Sequence, residues 1–359
     1  MGQNYYLPLL LRVLLVISWI LIIAVVLPFV RDDYWIFRIF EYPRYQKFLL
    51  LLPFFAALLW FGEYRNWFHL STMILLALSI IYLAYRIWPY WPFAEKEMKD
   101  IVSTYRANQV KVICANVLQE NREFDRLYQQ LKEHEPDIIF LLETDLKWQD
   151  AMDEKLNKAY PYTLKMPLDN TYGLLFYSKM PLEGGKINYL VDPDVPSIET
   201  IAVLPSGQRI KIWGLHPKPP VPGEDDRSTA KDKELMKVAL LAEKEKLPVM
   251  VMGDLNDVAW SYVTELFRKT SRLLDPRRGR GFYSTFSAKS WFISFPLDYI
   301  FCSADFGLIN MQRLPKNGSD HYAIVSHFEY KPVLKNIQEE PQADPSEKKE
   351  AIEKAAKPQ

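Results

Sequence analysis

Side chains that could bind a metal ion or activate water follow a short apolar segment in the second half of the chain. Residues 249–252 are wholly apolar, a pattern that predicts a strand buried on both faces. Gly253 ends this segment, and Asp254, Asn256 and Asp257 follow at once. A rigid strand fixes such side chains while their loop reaches solvent, which suits catalysis. Asp and Asn also favour turns and helix N-caps, so these residues alone leave both interpretations open.

Polar side chains also lie at the ends of the other predicted strands. Taken singly, each has a plain structural explanation as a turn, a helix cap, a loop residue or a hairpin partner. Together they would supply oxygen ligands for Mg²⁺, a His–Asp pair and a carboxylate that can orient water. Metal-assisted phosphoester hydrolysis requires these groups. The residues are Asn116, Glu143, His216, Asp298, Asp320 and His321.

The segment that carries these residues alternates apolar runs with amphipathic helices and then continues mainly as apolar runs. This order favours an α/β (α+β) sandwich with mixed sheets over a simple parallel sheet. Cys114 and Cys302 lie inside apolar runs and are expected to be buried hydrophobic residues. Predicted helices cover 121–133, 228–246 and 259–269, and predicted strands cover 110–117, 137–142, 171–178, 198–204, 209–215, 249–252, 297–302, 307–314 and 322–329.

These motifs resemble, in their order along the chain, the endonuclease/exonuclease/phosphatase superfamily, whose fold is like that of pancreatic deoxyribonuclease. The resemblance covers roughly residues 109–330. It implies a four-layer sandwich of two central mixed β-sheets flanked by helices, with the active site where the strand ends of both sheets meet. The matching motifs are Asn116-Val117, Pro136-Asp137-Ile138-Ile139 through Glu143, Gly214-Leu215-His216, Gly253-Asp254-Leu255-Asn256, Leu297-Asp298-Tyr299-Ile300-Phe301 and Ser319-Asp320-His321.

The resemblance also implies a metal site. Glu143 would be the main Mg²⁺ ligand, and Asn116 and Asp320 would complete the site directly or through water. Mn²⁺ would be able to replace Mg²⁺. No Cys/His spacing suggests structural zinc, and no glycine-rich loop for a nucleotide cofactor occurs in the sequence.

The catalytic roles follow from the same resemblance. Asp254 would orient or deprotonate the attacking water, and Asn256 would hold a phosphate oxygen. His321, held by Asp298, would act as an acid/base or stabilise charge on the phosphoryl group. His216 would contact the phosphate from the other sheet. Electrostatic stabilisation should dominate, because the protein in phosphoryl transfer mainly positions groups and neutralises charge.

Nucleic acid is not the favoured substrate. Base-excision members of the superfamily have an acidic residue shortly after the first-strand Asn, whereas Asn116 is followed by Val-Leu-Gln. The chain has 44 basic and 44 acidic residues and is therefore no general polycation. Arg278 and Arg280, in one basic loop, are candidates for binding the substrate phosphate, with a solvated turn as the alternative, and Arg227 is a second, weaker candidate.

The N-terminal residues 1–94 form a predicted transmembrane region with helices at about 7–30, 48–62 and 70–88. A linker at 95–108, a catalytic domain at 109–330 and a disordered or weakly helical charged tail at 331–359 follow. Most cations near the spans lie in the first loop and after the third helix. The positive-inside rule therefore favours an inner (cytoplasmic) membrane protein with a cytoplasmic catalytic domain. An outward-facing domain is the alternative, since similar lipid-carrier phosphatases can face outward.

An apolar segment at 290–296 precedes Asp298 and is either packed core or a loop that enters the bilayer or binds an acyl or isoprenoid chain.

The leading hypothesis is a membrane-anchored Mg²⁺-dependent phosphoesterase that hydrolyses a phosphoester or pyrophosphate bond by in-line attack of water. The substrate would be lipid-linked or another small phosphoester. The alternatives are a membrane-anchored nuclease and a catalytically dead membrane adaptor. Nothing in the sequence indicates a protein partner.

Overall fold

The computed structural model describes residues 6–62, 64–290 and 292–358. It begins with three long helices, α1 (Tyr6–Val26), α3 (Arg44–Phe61) and α4 (Trp67–Ile87), and a short helix, α2 (Trp35–Arg38), precedes α3. The three long helices pack against one another, and each is long and apolar enough to cross a membrane. Many of their apolar side chains are exposed, which suits a lipid environment and not water.

Helix α3 begins four residues before the predicted start at 48. Its first turn contains Arg44 and Lys47, which are buried although they are charged. The Lys47 ammonium donates hydrogen bonds to the carbonyls of Ala24 and Phe40, both at 2.7 Å. Buried charges persist where their donors are satisfied, so hydropathy alone places the start of this helix too late.

Two mixed sheets follow, as the sequence predicts. One has the strand order β10-β11-β1-β2-β4-β3 and the other the order β5-β6-β7-β8-β9, with β1–β2 and β7–β8 parallel and the remaining pairs antiparallel. Their facing sides form one apolar core. The strands are β1 (Gln109–Asn116), β2 (Ile138–Leu142), β3 (Tyr162–Met166), β4 (Leu174–Ser178), β5 (Leu182–Asn188), β6 (Ser197–Val203), β7 (Arg209–Leu215), β8 (Val249–Asp254), β9 (Asp298–Cys302), β10 (Phe306–Arg313) and β11 (Ile324–Tyr330).

Helices cover the outer faces of both sheets and complete the four layers. Helices α5 (Phe124–His134) and α6 (Leu146–Leu156) pack on the six-stranded sheet. Helices α7 (Thr229–Lys244), α8 (Tyr262–Ser271) and α9 (Pro345–Ala356) cover the five-stranded sheet. This is the sandwich that the sequence predicts.

The structure departs from the predicted disorder of residues 331–359. A 3₁₀ turn at Pro332–Asn336 and helix α9 occupy most of this segment. The side chain of Asp344 caps α9, Ala351 is fully buried, and Lys354 donates to Asp232 of α7 at 2.9 Å. Composition predicted disorder because the segment has few apolar residues. Helix capping and ion pairs with α7 hold it in place instead.

Candidate active site

Two carboxylates meet where β8 and β9 pair. The antiparallel register places Asp254, the last residue of β8, opposite Asp298, the first residue of β9. Gly253 precedes Asp254 with φ of +142°, and a Cβ at this position would lie 1.9 Å from the carbonyl oxygen of Leu215. Only glycine therefore allows the end of β8 to lie this close to β7.

His321 lies between these two carboxylates. Its Nδ1 is 2.9 Å from Asp298 Oδ2, and its Nε2 is 3.5 Å from Asp254 Oδ2. Burial lowers the pKa of His321, but the negative charges of Asp298 and Asp254 outweigh burial and raise this pKa to about 10. The imidazole is therefore positively charged at neutral pH, and both of its ring nitrogens are donors.

The end of β1 joins this cluster to the six-stranded sheet. Asn116 Nδ2 donates to Glu143 Oε1 at 2.6 Å and to Asp254 Oδ2 at 3.1 Å, so one amide links the strand ends of both sheets. Burial raises the pKa of Glu143 to about 7, and the charges of Asp254 and Asp320 act in the same direction. The predicted convergence of these residues is therefore present in the tertiary structure.

Burial also raises the pKa of Asp254, and the nearby Asp298 carboxylate adds to the effect against the opposing charge of His321. A raised pKa makes a carboxylate a better proton acceptor from water. The main-chain N–H of Asn256 donates to Asp254 Oδ1 at 2.9 Å and holds this carboxylate in place.

His216 follows β7 and is buried against Tyr172, with ring centroids 5.3 Å apart. Burial lowers the pKa of His216 to about 4, and the positive charge of His321 contributes in the same direction. His216 is therefore neutral at pH 7. Its Nδ1 is buried and has no hydrogen-bond partner among the described residues, so it is available to a ligand.

Asn256 is held from three directions in a left-handed conformation, with φ of +49°. Its main-chain N–H donates a hydrogen bond to Asp254 Oδ1, and its Nδ2 donates to the carbonyl of Pro217 at 2.9 Å. Its own main-chain carbonyl accepts a hydrogen bond from the hydroxyl of Tyr42 at 2.7 Å. One hydrogen of its side-chain amide is left for a phosphate oxygen.

The oxygen donors in this cluster suit a divalent cation. Glu143 lies beside two further carboxylates, and their mutual repulsion, which contributes to its raised pKa, is what a divalent cation would relieve. In the described part of the chain, donor atoms of Asp254, Asp298 and His321 also lie within 4.8 Å of one another. The His321–Asp298 hydrogen bond already occupies two of these donors, so Glu143 and Asp320 are the better candidates for ligands.

The three predicted phosphate-binding arginines have other contacts. Arg278 pairs with Glu265 at 3.3 Å, Arg280 pairs with Asp100 at 2.6 Å, and the exposed Arg227 lies 3.5 Å from Asp32. No hydrogen bond or ion pair between described residues joins these three arginines to the strand-end cluster. The spacing of these cations in the sequence could not reveal their partners.

Residues far away in the sequence support the loop after β8. Tyr42, Arg44 and Tyr90 donate to main-chain carbonyls of residues 256, 260 and 259. Asp257 forms a buried ion pair with Lys231 at 2.5 Å, so its role is structural. No local sequence signal marks these contacts, because each joins segments that are distant along the chain.

Comparisons with known proteins agree with this architecture. A model described as "Endonuclease/Exonuclease/phosphatase family" matches residues 113–321, more than half of the chain. A humanized TDP2 of D. rerio has a similar structure, with a TM-score of 0.51, 16% identity and coverage of 62% of this chain and 99% of its own. The human Nocturnin catalytic domain with bound sulfate is also similar, with a TM-score of 0.51 and 17% identity. The match covers 64% of this chain and 97% of the Nocturnin chain. No curated protein matches the chain. At these identities the solved structures establish the fold alone.

Proposed function

Since this chain belongs to the endonuclease/exonuclease/phosphatase family of phosphoester-hydrolysing enzymes, we propose that it is a membrane-anchored phosphoesterase whose substrate is carried by a lipid. The main support is the contact between the membrane region and the candidate catalytic loop. Tyr42, just before the membrane helix α3, hydrogen-bonds the main chain of Asn256. A reacting group this close to the bilayer would meet a lipid-linked phosphoester at high effective concentration.

The proposed metal ligands are Glu143 and Asp320, with Asn116 contributing directly or through water, and Mg²⁺ is the proposed cation, replaceable by Mn²⁺. A bound divalent cation would polarise the phosphoryl group and neutralise its charge. In the structure the amide nitrogen of Asn116, and not its oxygen, faces the two carboxylates. Asn116 therefore also holds Glu143 and Asp254 at a fixed separation.

The other polar residues of the cluster have separate proposed roles in hydrolysis. Asp254 has the raised pKa and the fixed orientation of a group that accepts a proton from the attacking water. His321 is an imidazolium, so we assign it to stabilising charge on the phosphoryl oxygens and not to general base catalysis. Asp298 orients this imidazolium, while His216 and Asn256 contact the phosphate from the other side.

The test is a substrate panel on the full chain in lipid nanodiscs with Mg²⁺ or Mn²⁺. The panel contains lipid phosphomonoesters, diesters and pyrophosphates, together with plasmid and oligonucleotide DNA. We expect hydrolysis of a lipid-linked phosphoester that Asp254→Ala abolishes. Strong cleavage of DNA with none of the lipids would establish the nuclease alternative. No hydrolysis of any phosphoester by the metal-loaded protein would support the adaptor alternative.

We also propose that the catalytic domain faces the cytoplasm from the inner membrane, as the positive-inside rule favours. Reporter fusions at the C-terminus test this orientation. Activity of a reporter that works only outside the cytoplasm would place the domain, and its substrate, on the other face.

A further inference from the structure

A groove of about 780 Å³ lies between the first turns of α3 and the loop that precedes β9. Tyr45, Gln46 and Leu49 line it from α3, and Phe282 and Phe292 line it from the loop. Its volume is in the range of about 300–1,000 Å³ that is typical of small-ligand sites. None of these side chains belongs to the strand-end cluster of the candidate active site.

The groove adjoins a membrane span. Tyr45, Gln46 and Leu49 belong to the first turns of a helix that could cross the membrane. Phe292 and Ile293, on the loop side, are 39% and 56% exposed. Exposed apolar side chains beside a span are suited to contact with hydrocarbon chains and not with water.

The segments that line the groove continue to residues that contact the candidate active site. Phe286 forms antiparallel bridges with both Phe295 and His321, and its ring centroid lies 5.0 Å from that of His321. Ser284 and Ser294, which line the groove, are close neighbours of Phe286 and Phe295 in the sequence. A ligand in the groove would therefore lie next to the loop that carries the imidazolium.

Two polar side chains, Arg313 and Gln46, line the groove. The Arg313 guanidinium donates to the carbonyl of Ser284 at 2.7 Å and lies 4.3 Å from the ring centroid of Tyr322, the residue after His321. Among the described residues, no carboxylate lies within ion-pair distance of it. Gln46 Oε1 is buried and has no donor in the described part of the chain. An anionic phosphate has no proton to donate to Gln46 Oε1, so the Arg313 guanidinium beside an apolar groove is the group that matches a phosphate with an attached alkyl chain.

We propose that this groove binds the hydrocarbon chain of the lipid phosphoester, with its anionic phosphate end toward Arg313. The occupant is a single membrane lipid, because the groove continues from a membrane helix and its cation lies on the side of His321. This inference rests on the proposed phosphoesterase function, and it specifies the part of the substrate that is recognised.

The first test compares Leu49→Trp with Leu50→Trp in the full chain in nanodiscs. Leu49 lines the groove and is 39% exposed, while Leu50 is its neighbour on α3, is 42% exposed and does not line the groove. The substrates are hexadecyl 4-nitrophenyl phosphate and ethyl 4-nitrophenyl phosphate. We expect Leu49→Trp to raise KM for the hexadecyl ester about tenfold, the effect of losing contact with about two methylene groups. The ethyl ester should be unaffected, and Leu50→Trp should change neither KM.

The second test measures binding without turnover. Hexadecyl phosphate is titrated into the full chain in the presence of EDTA, and Arg313→Gln is compared with Arg313→Lys. We expect a loss of about tenfold in affinity for the Gln variant, because a charge-assisted hydrogen bond is lost, and partial retention in the Lys variant.

The outcomes separate the two proposals. If the wild-type protein hydrolyses neither ester nor any other lipid phosphoester, the proposed function fails. If it prefers the hexadecyl ester and Leu49→Trp keeps that preference, the function stands and the groove inference is overturned. Equal binding of hexadecyl phosphate by the wild type and Arg313→Gln would also overturn the inference.

Discussion

The hydroxyl of Tyr42 donates a hydrogen bond to the main-chain carbonyl of Asn256 at 2.7 Å, across 214 positions of the sequence. Other hydrogen bonds also join the residues around the start of α3 to the loop after β8. The indole N–H of Trp260 donates to the carbonyl of Glu41 at 2.9 Å, and Arg44 donates back to the carbonyl of Trp260 at 2.5 Å. The loop that carries the proposed water-activating group thus packs partly against the N-terminal helical region.

We expect Tyr42→Phe to lower kcat several-fold and to leave the fold intact. The substitution removes a single hydrogen bond whose loss leaves a carbonyl unsatisfied, at a cost of about 1–3 kcal/mol. The measurement is kcat together with the thermal unfolding midpoint in nanodiscs. Tyr85→Phe, on an exposed membrane-helix position, is the control. An unchanged kcat for Tyr42→Phe would show that the N-terminal helical region does not position the catalytic loop.

Asp254, the last residue of β8, and Asp257, in the loop that follows, should respond differently to substitution by Asn. Asp254→Asn should lower kcat by about 10²-fold or more, because it removes the proposed proton acceptor. Asp257→Asn should mainly destabilise the fold, because it breaks the buried ion pair with Lys231, an effect of about 3–5 kcal/mol. Steady-state kinetics and thermal unfolding of both variants separate the two effects. Comparable losses of kcat in folded protein would contradict the assignment of Asp254.

Asp298→Asn should shift the alkaline limit of activity to lower pH. Wild-type His321 has a pKa of about 10, since Asp298 and Asp254 together outweigh its burial, and it stays protonated throughout the neutral range. Removing one of these charges lowers the pKa of His321, so the imidazolium loses its proton, and the variant its activity, at a lower pH. The pH–rate profile tests this expectation. Profiles with the same alkaline limb would exclude the charged form of His321 from the mechanism.

Because Glu234 on α7 is buried, we expect the free energy of unfolding to fall as the pH rises. Burial raises its pKa to about 8, the charge of Asp192 adds to the effect, and its Oε1 has no partner among the described residues. Between the ordinary glutamate pKa of 4.5 and the folded-state pKa of about 8, the unfolded chain loses the proton while the folded protein keeps it. Stability therefore falls with pH across that window, by about 1.4 kcal/mol per unit of pKa difference at most.

The test of this pH dependence is Glu234→Gln, measured by thermal unfolding at pH 5 and pH 9. We expect the variant to be more stable than the wild type at pH 9 and nearly equal to it at pH 5. Glu353→Gln, at a side chain that is 65% exposed, is the matched control and should change neither value. A variant that gains nothing at pH 9 would mean that Glu234 finds a partner in the folded protein.

Glu143→Gln should weaken the binding of the divalent cation by about tenfold or more, because even groups that only support a ligand contribute that much. Calorimetric titration of Mn²⁺ or Mg²⁺ into the full chain is the measurement, and activity should be lost with EDTA and restored by the metal. Glu123→Gln, an exposed side chain, is the control. Undiminished metal affinity in Glu143→Gln would move the site to another set of donors.

The sequence by itself determined the order of most strands and helices in the sandwich and the polar residues at the strand ends. Both follow from local properties. An apolar run followed by a Gly-Asp pair predicts a buried strand and its end, and three long apolar stretches predict helices that can cross a membrane. Helix α6 and strands β3 and β5 carry weaker patterns and were not predicted. Strand β5 is largely exposed, so it lacks the apolar alternation that marks a half-buried strand.

Only the tertiary structure decided which of the polar residues meet and what charge they carry. The pairing of β8 with β9 places Asp254 against Asp298, and the packing of the two sheets brings Asn116 to Asp254. The contact of Tyr42 with Asn256 is likewise between distant segments. The pKa values of Glu143 and His321 depend on burial and on neighbouring charges, and neither is a property of the local sequence. Chemistry at this site is therefore a consequence of long-range packing acting on residues that the sequence had already placed at strand ends.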